Sequence, residues 1–217
     1  MCSFQKMLLK NELQSIISGT GVVTKGTAIK AVANHLRKSK AASKNAEEKE
    51  FIKEQEAKVI IEYSSENDLF IQRPNEARYL AEGAEQKVYL NEDNEFVTKF
   101  NDSIFYSTWQ DYFNNLLLHN YFFPATYYEL IGFLHESKKL YAVVKQPYIN
   151  STEPTDESFI SELMIGNGFL NKKNNDYYSK ELGIIVEDLH DENVLTNNGV
   201  LFFIDTVFYL TSEFYNP

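Results

Sequence analysis

Apolar residues recur at helical spacing in the first third of the chain and at strand spacing after about residue 69. Met7, Leu8, Leu9, Leu13, Ile16 and Ile17 predict a helix over 5–18, which Gly19 and Gly21 end. Ile29, Val32, Ala33 and Leu36 predict a second helix over 27–37, with one apolar face. Residues 46–63 are helical by propensity, although Glu56 interrupts the side carrying Ile52, Val59 and Ile60. The segment between, KSKAASKNAEEKE, is small and charged, a linker or an exposed helix.

Strand patterns follow. QKVYL (86–90) and EFVTKF (95–100) flank a four-residue polar loop and read as a hairpin. Phe105, Trp109, Tyr112, Phe113, Leu116 and Leu117 predict a helix over 103–121, with Ser103 as N-cap and Pro124 closing it. TYYELIGFL (126–134) and LYAVVKQPYI (140–149) read as two strands around a turn at 135–139. Residues 155–165 read as a helix capped by Thr155, stopped by Gly166 or Gly168. GIIVEDL is a buried-looking strand, and VLTNNGVLFFIDTVF is a hairpin turning at Asn197-Asn198-Gly199. This order predicts an α+β fold of two lobes with a cleft between them. It divides into a basic helical arm (1–46), an N-lobe of helix and antiparallel sheet (47–149) and a minimal C-lobe (150–217).

Composition narrows the class. At 217 residues, 43% hydrophobic and with 16 Phe and 14 Tyr, the body can bury a core. The single cysteine, Cys2, excludes a disulfide framework and a thiolate zinc site. No apolar run reaches membrane-spanning length and the first residues do not read as a signal peptide, so the expectation is a cytoplasmic protein with no membrane partner. The net charge of −10 is uneven: residues 1–46 carry eight Lys/Arg against Glu12, a net +7, and the rest 13 against 30 acids, a net −17. A basic arm can hold nucleic acid, but an acidic body repels a phosphate backbone; a solvated arm packed on that body is the plainer reading.

The candidate chemistry gathers late in the chain. Glu187-Asp188-Leu189-His190-Asp191-Glu192-Asn193 crowds polar groups after the apolar Ile184-Ile185-Val186. A hairpin turning near Asn198 brings Asn193 and Asp205 to its open end, where facing residues lie about 5 Å apart. An amide oxygen and a carboxylate at that distance suit Mg²⁺, which also takes phosphate and water. Asp188 would sit beside the pair and accept a proton from a substrate hydroxyl. Lys99, among Phe96, Val97 and Phe100 in a strand, needs an anionic partner, which nucleotide phosphates supply. His190 reads as a structural hydrogen-bonder; a metal hydrolase of His190, Asp188 and Asp191 lacks further histidines nearby.

The pattern Asp-x-x-x-x-Asn followed by an Asp at a hairpin end resembles that of protein kinases. DLHDENVL is similar to the DLHxxNxL of kinase-like small-molecule phosphotransferases. From about residue 50, EYSSENDLFI, EGAEQKVYL, FPATYYELIGFL, VVKQPYI, GNGF and EDLHDENVL…FFIDTVF resemble the Ser/Thr/Tyr kinase domain of polyvalent proteins of phages and conjugative elements. The resemblance implies a protein-kinase-like two-lobed fold with a reduced C-lobe and a helical N-terminal extension. It implies an ATP- and Mg-dependent phosphotransferase acting on a hydroxyl of a protein or small molecule. Asp188 then matches the catalytic Asp, Asn193 and Asp205 the metal-binding positions, and Lys99 the phosphate-binding lysine. Residues 81–85, with Gly83, match the loop over the phosphates, and Gln146 and Tyr148 the hinge whose backbone holds a purine. The sequence departs from that pattern in three places. Gly83 stands where kinases have three glycines, Asp111 is the only acid in the helix after Ser103, and Thr206-Val207 follows Asp205 in place of Phe-Gly. A nucleotide-binding pseudokinase is the alternative these departures support, and an accessory protein acting through the basic arm is another.

Overall fold

A computed structural model of the protein describes residues 3–42, 49–73, 78–82 and 86–216. Among them the chain is mixed α/β, with six helices and antiparallel sheets. It divides into two compact units, one of residues 24–120 and 127–148, the other of 3–23, 121–126 and 149–216.

The first unit carries a five-stranded sheet ordered β1-β2-β3-β5-β4, from β1 (Tyr79–Glu82), β2 (Gln86–Leu90), β3 (Phe96–Asn101), β4 (Glu129–Glu136) and β5 (Lys139–Pro147). The hairpin expected at 86–100 forms, Val88 facing Lys99 and Leu90 facing Val97. β4 and β5 turn on Ser137 and Lys138 alone, both at positive φ (51° and 65°), which is tighter than the five-residue turn expected. Helices α2 (Thr27–Ala42) and α3 (Lys49–Glu66) pack here. Ile29, Val32, Ala33 and Leu36 of α2 are all buried, as their spacing predicts. Each large side chain of that face contributes roughly 1.5–3 kcal/mol on burial.

Helix α4 (Trp109–Phe122) begins six residues later than the sequence suggests, and Ser103 is not its cap. The Asn101 side chain accepts from the Ser103 N–H (2.7 Å), and Ser103 adopts φ 57°, so the chain turns before the helix starts. Thr108 takes the capping role: its hydroxyl accepts from the Asp111 N–H (3.0 Å) and donates to the Asp111 carboxylate (2.7 Å). Glu56, which breaks the apolar side of α3, is 3% exposed and accepts from the N–H groups of Trp109 (2.6 Å) and Gln110 (3.4 Å). A carboxylate against the first donors of a helix satisfies them and complements its dipole. The polar residue that spoils one helix therefore starts the next.

The second unit is built on a four-stranded sheet ordered β11-β8-β7-β6, from β6 (Leu170–Lys173), β7 (Asp176–Ser179), β8 (Ile184–Glu187) and β11 (Val207–Leu210). A separate ribbon pairs β9 (Val194–Asn197) with β10 (Val200–Phe203) around Asn198-Gly199, both at positive φ (48° and 75°), the turn the Asn-Gly pair predicts. Helix α5 (Glu157–Gly166) is capped by Asp156, whose carboxylate accepts from the Ser158 N–H (2.9 Å); Thr155, the expected cap, instead bonds Thr196 (2.8 Å). Helix α1 (Ser3–Ser18) buries Leu13, Ile16 and Ile17 in this unit, and Met7 and Leu8 are half exposed. The Tyr121 hydroxyl donates to Glu12 (2.7 Å); burial first, and the Glu12 carboxylate second, push that phenol up to about 12. The Gln14 amide reaches the Phe214 carbonyl of the short α6 (Ser212–Tyr215) at 2.5 Å.

Candidate functional site

Asp188 follows β8 directly and sits at φ 62°, a left-handed conformation that Asp tolerates better than most residues. Its carbonyl accepts from the His190 N–H (3.0 Å) and from Nδ2 of Asn193 (3.0 Å). Its own N–H donates to Oδ1 of Asp176 (3.3 Å). The next N–H, of Leu189, donates to the Asn175 carbonyl (3.2 Å), and the Leu189 side chain is fully buried. The Asp188 side chain is exposed, on a backbone held from both sides.

Asn193 joins that loop to the ribbon. A carbonyl can only accept, so the bond to Asp188 O identifies the amide nitrogen and makes Oδ1 the other end. The same nitrogen lies 3.1 Å from Nε2 of His190, and the Glu192 N–H donates to Nδ1 of that ring (3.3 Å), 4.0 Å from Asp191. The Asn193 carbonyl accepts from Ile204 (2.9 Å) and Asp205 (3.2 Å), one step beyond the Val194–Phe203 pair. The structure thus brings Asp188, Asn193 and Asp205 together through backbone and amide bonds. Asn193 and Asp205 offer oxygen donors, the chemistry a hard divalent cation takes. Among the described residues no group of three or more His, Cys, Asp or Glu could hold a metal ion.

Glu187, the last residue of β8, has its carboxyl raised above the usual range by burial first, then by the charges of Asp176 and Asp188; Lys172 offsets part of this. A carboxyl raised on folding binds its proton more tightly in the folded chain, so stability falls as pH rises from its unfolded value through its folded one. Glu187→Gln is therefore expected to raise the melting temperature at pH 8. The gain shrinks towards pH 4, which thermal unfolding across that range will read.

In the other unit, Lys99 is 4% exposed at the centre of its sheet, facing Val88 and Val144, with its ammonium 5.5 Å from the Tyr128 ring centre. Gln146 is buried beside Val97 at the end of β5. Tyr148 is 39% exposed and donates its N–H to the Glu95 carbonyl (2.8 Å). Asp111 is engaged by Thr108 in the α4 cap. Gly83 lies outside the described residues.

An apolar cavity of about 480 Å³ lies among Phe122, Phe123, Met164, Phe203 and Phe208. It backs the strands on either side of Asp205, but Asp188, Asn193 and Asp205 do not line it. Thr126 at its wall donates to the Phe203 carbonyl (2.6 Å). The polar chemistry therefore lies at the ribbon mouth and not in this apolar cavity.

Residues 53–212 match the model of the serine/threonine/tyrosine kinase found in polyvalent proteins. The chain belongs to that family. The match covers both ends of the Asp188–Asp205 constellation and the Lys99 strand, so a kinase-like phosphotransferase is the class to which this member belongs. No curated protein matches the chain. Among the described residues of this kinase-family chain, no helix is long and apolar enough to cross a membrane.

β6 and β7, with Asn175 and Asp176, and β11 as a strand separate from the ribbon lie outside the elements the spacing predicts. Asn174-Asn175 between NKK and DYYS is a turn signal that could have found the β6–β7 hairpin.

Proposed function

We propose that the protein is a Mg-ATP-dependent phosphotransferase of protein-kinase-like two-lobed fold, acting on a hydroxyl of a protein or small molecule. The observation that carries the reading is the bonded set in which Asn193 holds the Asp188 carbonyl through its amide nitrogen and takes the Asp205 N–H on its own carbonyl. Such a set keeps one carboxylate beside the reacting hydroxyl and presents a second carboxylate and an amide oxygen to a cation.

Asp188 accepts the proton of the acceptor hydroxyl as its oxygen bonds to the γ-phosphorus and the bond to the β-bridging oxygen breaks, releasing ADP. Oδ1 of Asn193 and the carboxylate of Asp205 would hold Mg²⁺, which when bound neutralises charge on the phosphates. Lys99 serves the α- and β-phosphates, since a buried ammonium is stabilised by anionic oxygens. Gly83 belongs to the loop over the phosphates. Gln146 and Tyr148 serve the purine through their backbone, Tyr148 by its carbonyl because its N–H is given to Glu95. Residues 47–149 and 150–217 are proposed as the N-lobe and a reduced C-lobe, with 1–46 as a basic extension.

Asp205→Ala is expected to weaken Mg-dependent ATP binding by about tenfold or more, as loss of a charged metal ligand does. Titration calorimetry with ATP, with and without Mg²⁺, measures it; equal affinity in wild type and variant would remove Asp205 from the cation site. Binding without any phosphoryl transfer would favour the pseudokinase reading, which the single glycine of the phosphate loop and the absence of a helix glutamate for Lys99 support.

A further inference from the structure

Two consecutive donors of the Asp188 loop are taken by two consecutive residues of one hairpin. The Asp188 N–H goes to the Asp176 carboxylate (3.3 Å) and the Leu189 N–H to the Asn175 carbonyl (3.2 Å). That hairpin is β6–β7, and several features make it a firm support. β7 is paired on both sides, to β6 and to β8, with Tyr177 facing Val186 and Ser179 facing Ile184. Tyr177 and Ser179 are buried. The turn at Asn174 (φ 49°) is closed by the Asn171 amide on the Asn174 carbonyl (2.7 Å). The Asn175 amide donates to Glu157 in the first turn of α5 (3.1 Å). Asp176 thus stands at the end of the β7–β8 ladder, where β8 runs out into the Asp188 loop.

We propose that Asp176 is a positioning residue for phosphoryl transfer, holding the Asp188 peptide in its left-handed conformation by accepting its N–H. The proposal rests on the phosphotransferase reading above. Asn193 and the His190 N–H bind the carbonyl of the same residue, so residue 188 is held at its N–H by Asp176 and at its carbonyl by two donors. Without the Asp176 bond the Asp188 N–H loses its acceptor, while the 188–189 peptide stays held by Asn193, His190 and Asn175, so rotation about φ of residue 188 is no longer opposed by that bond. Displacement of a reacting group by about 1 Å can cost on the order of 100-fold in rate. The like charges of Asp176 and Glu187 oppose one another here. The function therefore depends on an acceptor oxygen at this position and not on its charge.

The test compares Asp176→Ala with Asp176→Asn in the full chain, the latter keeping an acceptor oxygen without the charge. Two quantities are read: phosphate release from Mg-ATP with water as acceptor, and amide hydrogen exchange at Asp188 and Leu189 by NMR. Asp176→Ala is expected to lower kcat by about 10- to 100-fold with KM for ATP within twofold, and to speed exchange at Asp188 about tenfold. Asp176→Asn is expected to restore both to within about threefold of wild type. Wild-type exchange at Asp188 in Asp176→Ala, or equal losses in the two variants, would overturn the proposal. If the wild type releases no phosphate, the phosphotransferase reading fails separately, and the exchange comparison still decides whether Asp176 holds the loop.

Discussion

Asp188→Asn is expected to lower phosphoryl transfer by about 10²- to 10⁴-fold, the usual worth of a positioned acid–base group. Affinity for Mg-ATP is expected to stay within about threefold of wild type, because the Asp188 side chain is assigned to the acceptor and not to the nucleotide. Asn is the informative replacement. It tolerates the φ of 62° observed at this position, whereas alanine would add a backbone penalty to any chemical one. The bonds that shape the loop use the peptide of residue 188, its N–H to Asp176 and its carbonyl to Asn193, so they survive the change. The variant therefore removes the carboxylate and keeps its setting. Steady-state phosphate release together with calorimetric ATP binding makes the measurement. Turnover equal to wild type would exclude Asp188 as the group that takes the hydroxyl proton, whatever the fold.

The second large effect is structural. Gly183 lies at φ 68° just before β8, its N–H on the Ser179 carbonyl and its own carbonyl taking the Thr211 N–H, both at 2.9 Å. A Cβ there would stand 2.0 Å from the Phe214 backbone nitrogen and 2.5 Å from its Cα. Both obstacles are backbone, so neither can rotate away. Gly183→Ala is expected to destabilise the protein by roughly 2–4 kcal/mol, combining the left-handed penalty with overpacking. Gly166, the last residue of α5, is the control: a Cβ there meets nothing within 4 Å, and alanine should be neutral or stabilising by up to about 1 kcal/mol. Chemical denaturation of the two variants separates them. A loss below about 0.5 kcal/mol for Gly183→Ala would mean that the α6 segment moves aside at little cost.

Much of the local structure was legible in the chain. The α2 face, the hairpin at 86–101 and the Asn-Gly turn each follow from a period or a turn pair, and these are local properties. The start of α4 was not. Ser103 is a good cap by type, but the Asn101 side chain takes its N–H, and the first donors of the helix are met by Glu56, 53 residues earlier. Spacing cannot reveal a cap supplied from another helix. Likewise, Asp93, Thr108 and Asp156 show that any short polar side chain near a terminus can take the capping or turn role, so the residue type marks a region and not a position.

By itself the amino-acid order determined the α+β pattern and the ribbon turning at Asn198-Gly199, because period-2 pairing fixes which residues face each other at a given distance from the turn. The ladder ends at Val194–Phe203, and the Asp205 N–H reaches the Asn193 carbonyl beyond it, not as the facing residue the spacing predicts. Only the tertiary structure decided what holds Asp188: the four-stranded sheet lays β7 beside β8, and so brings Asn175 and Asp176 against the N–H groups of residues 188 and 189. The physical reason is that a sheet neighbour joined by hydrogen bonds to a buried ladder is chosen by packing of both strands at once, which no single segment encodes.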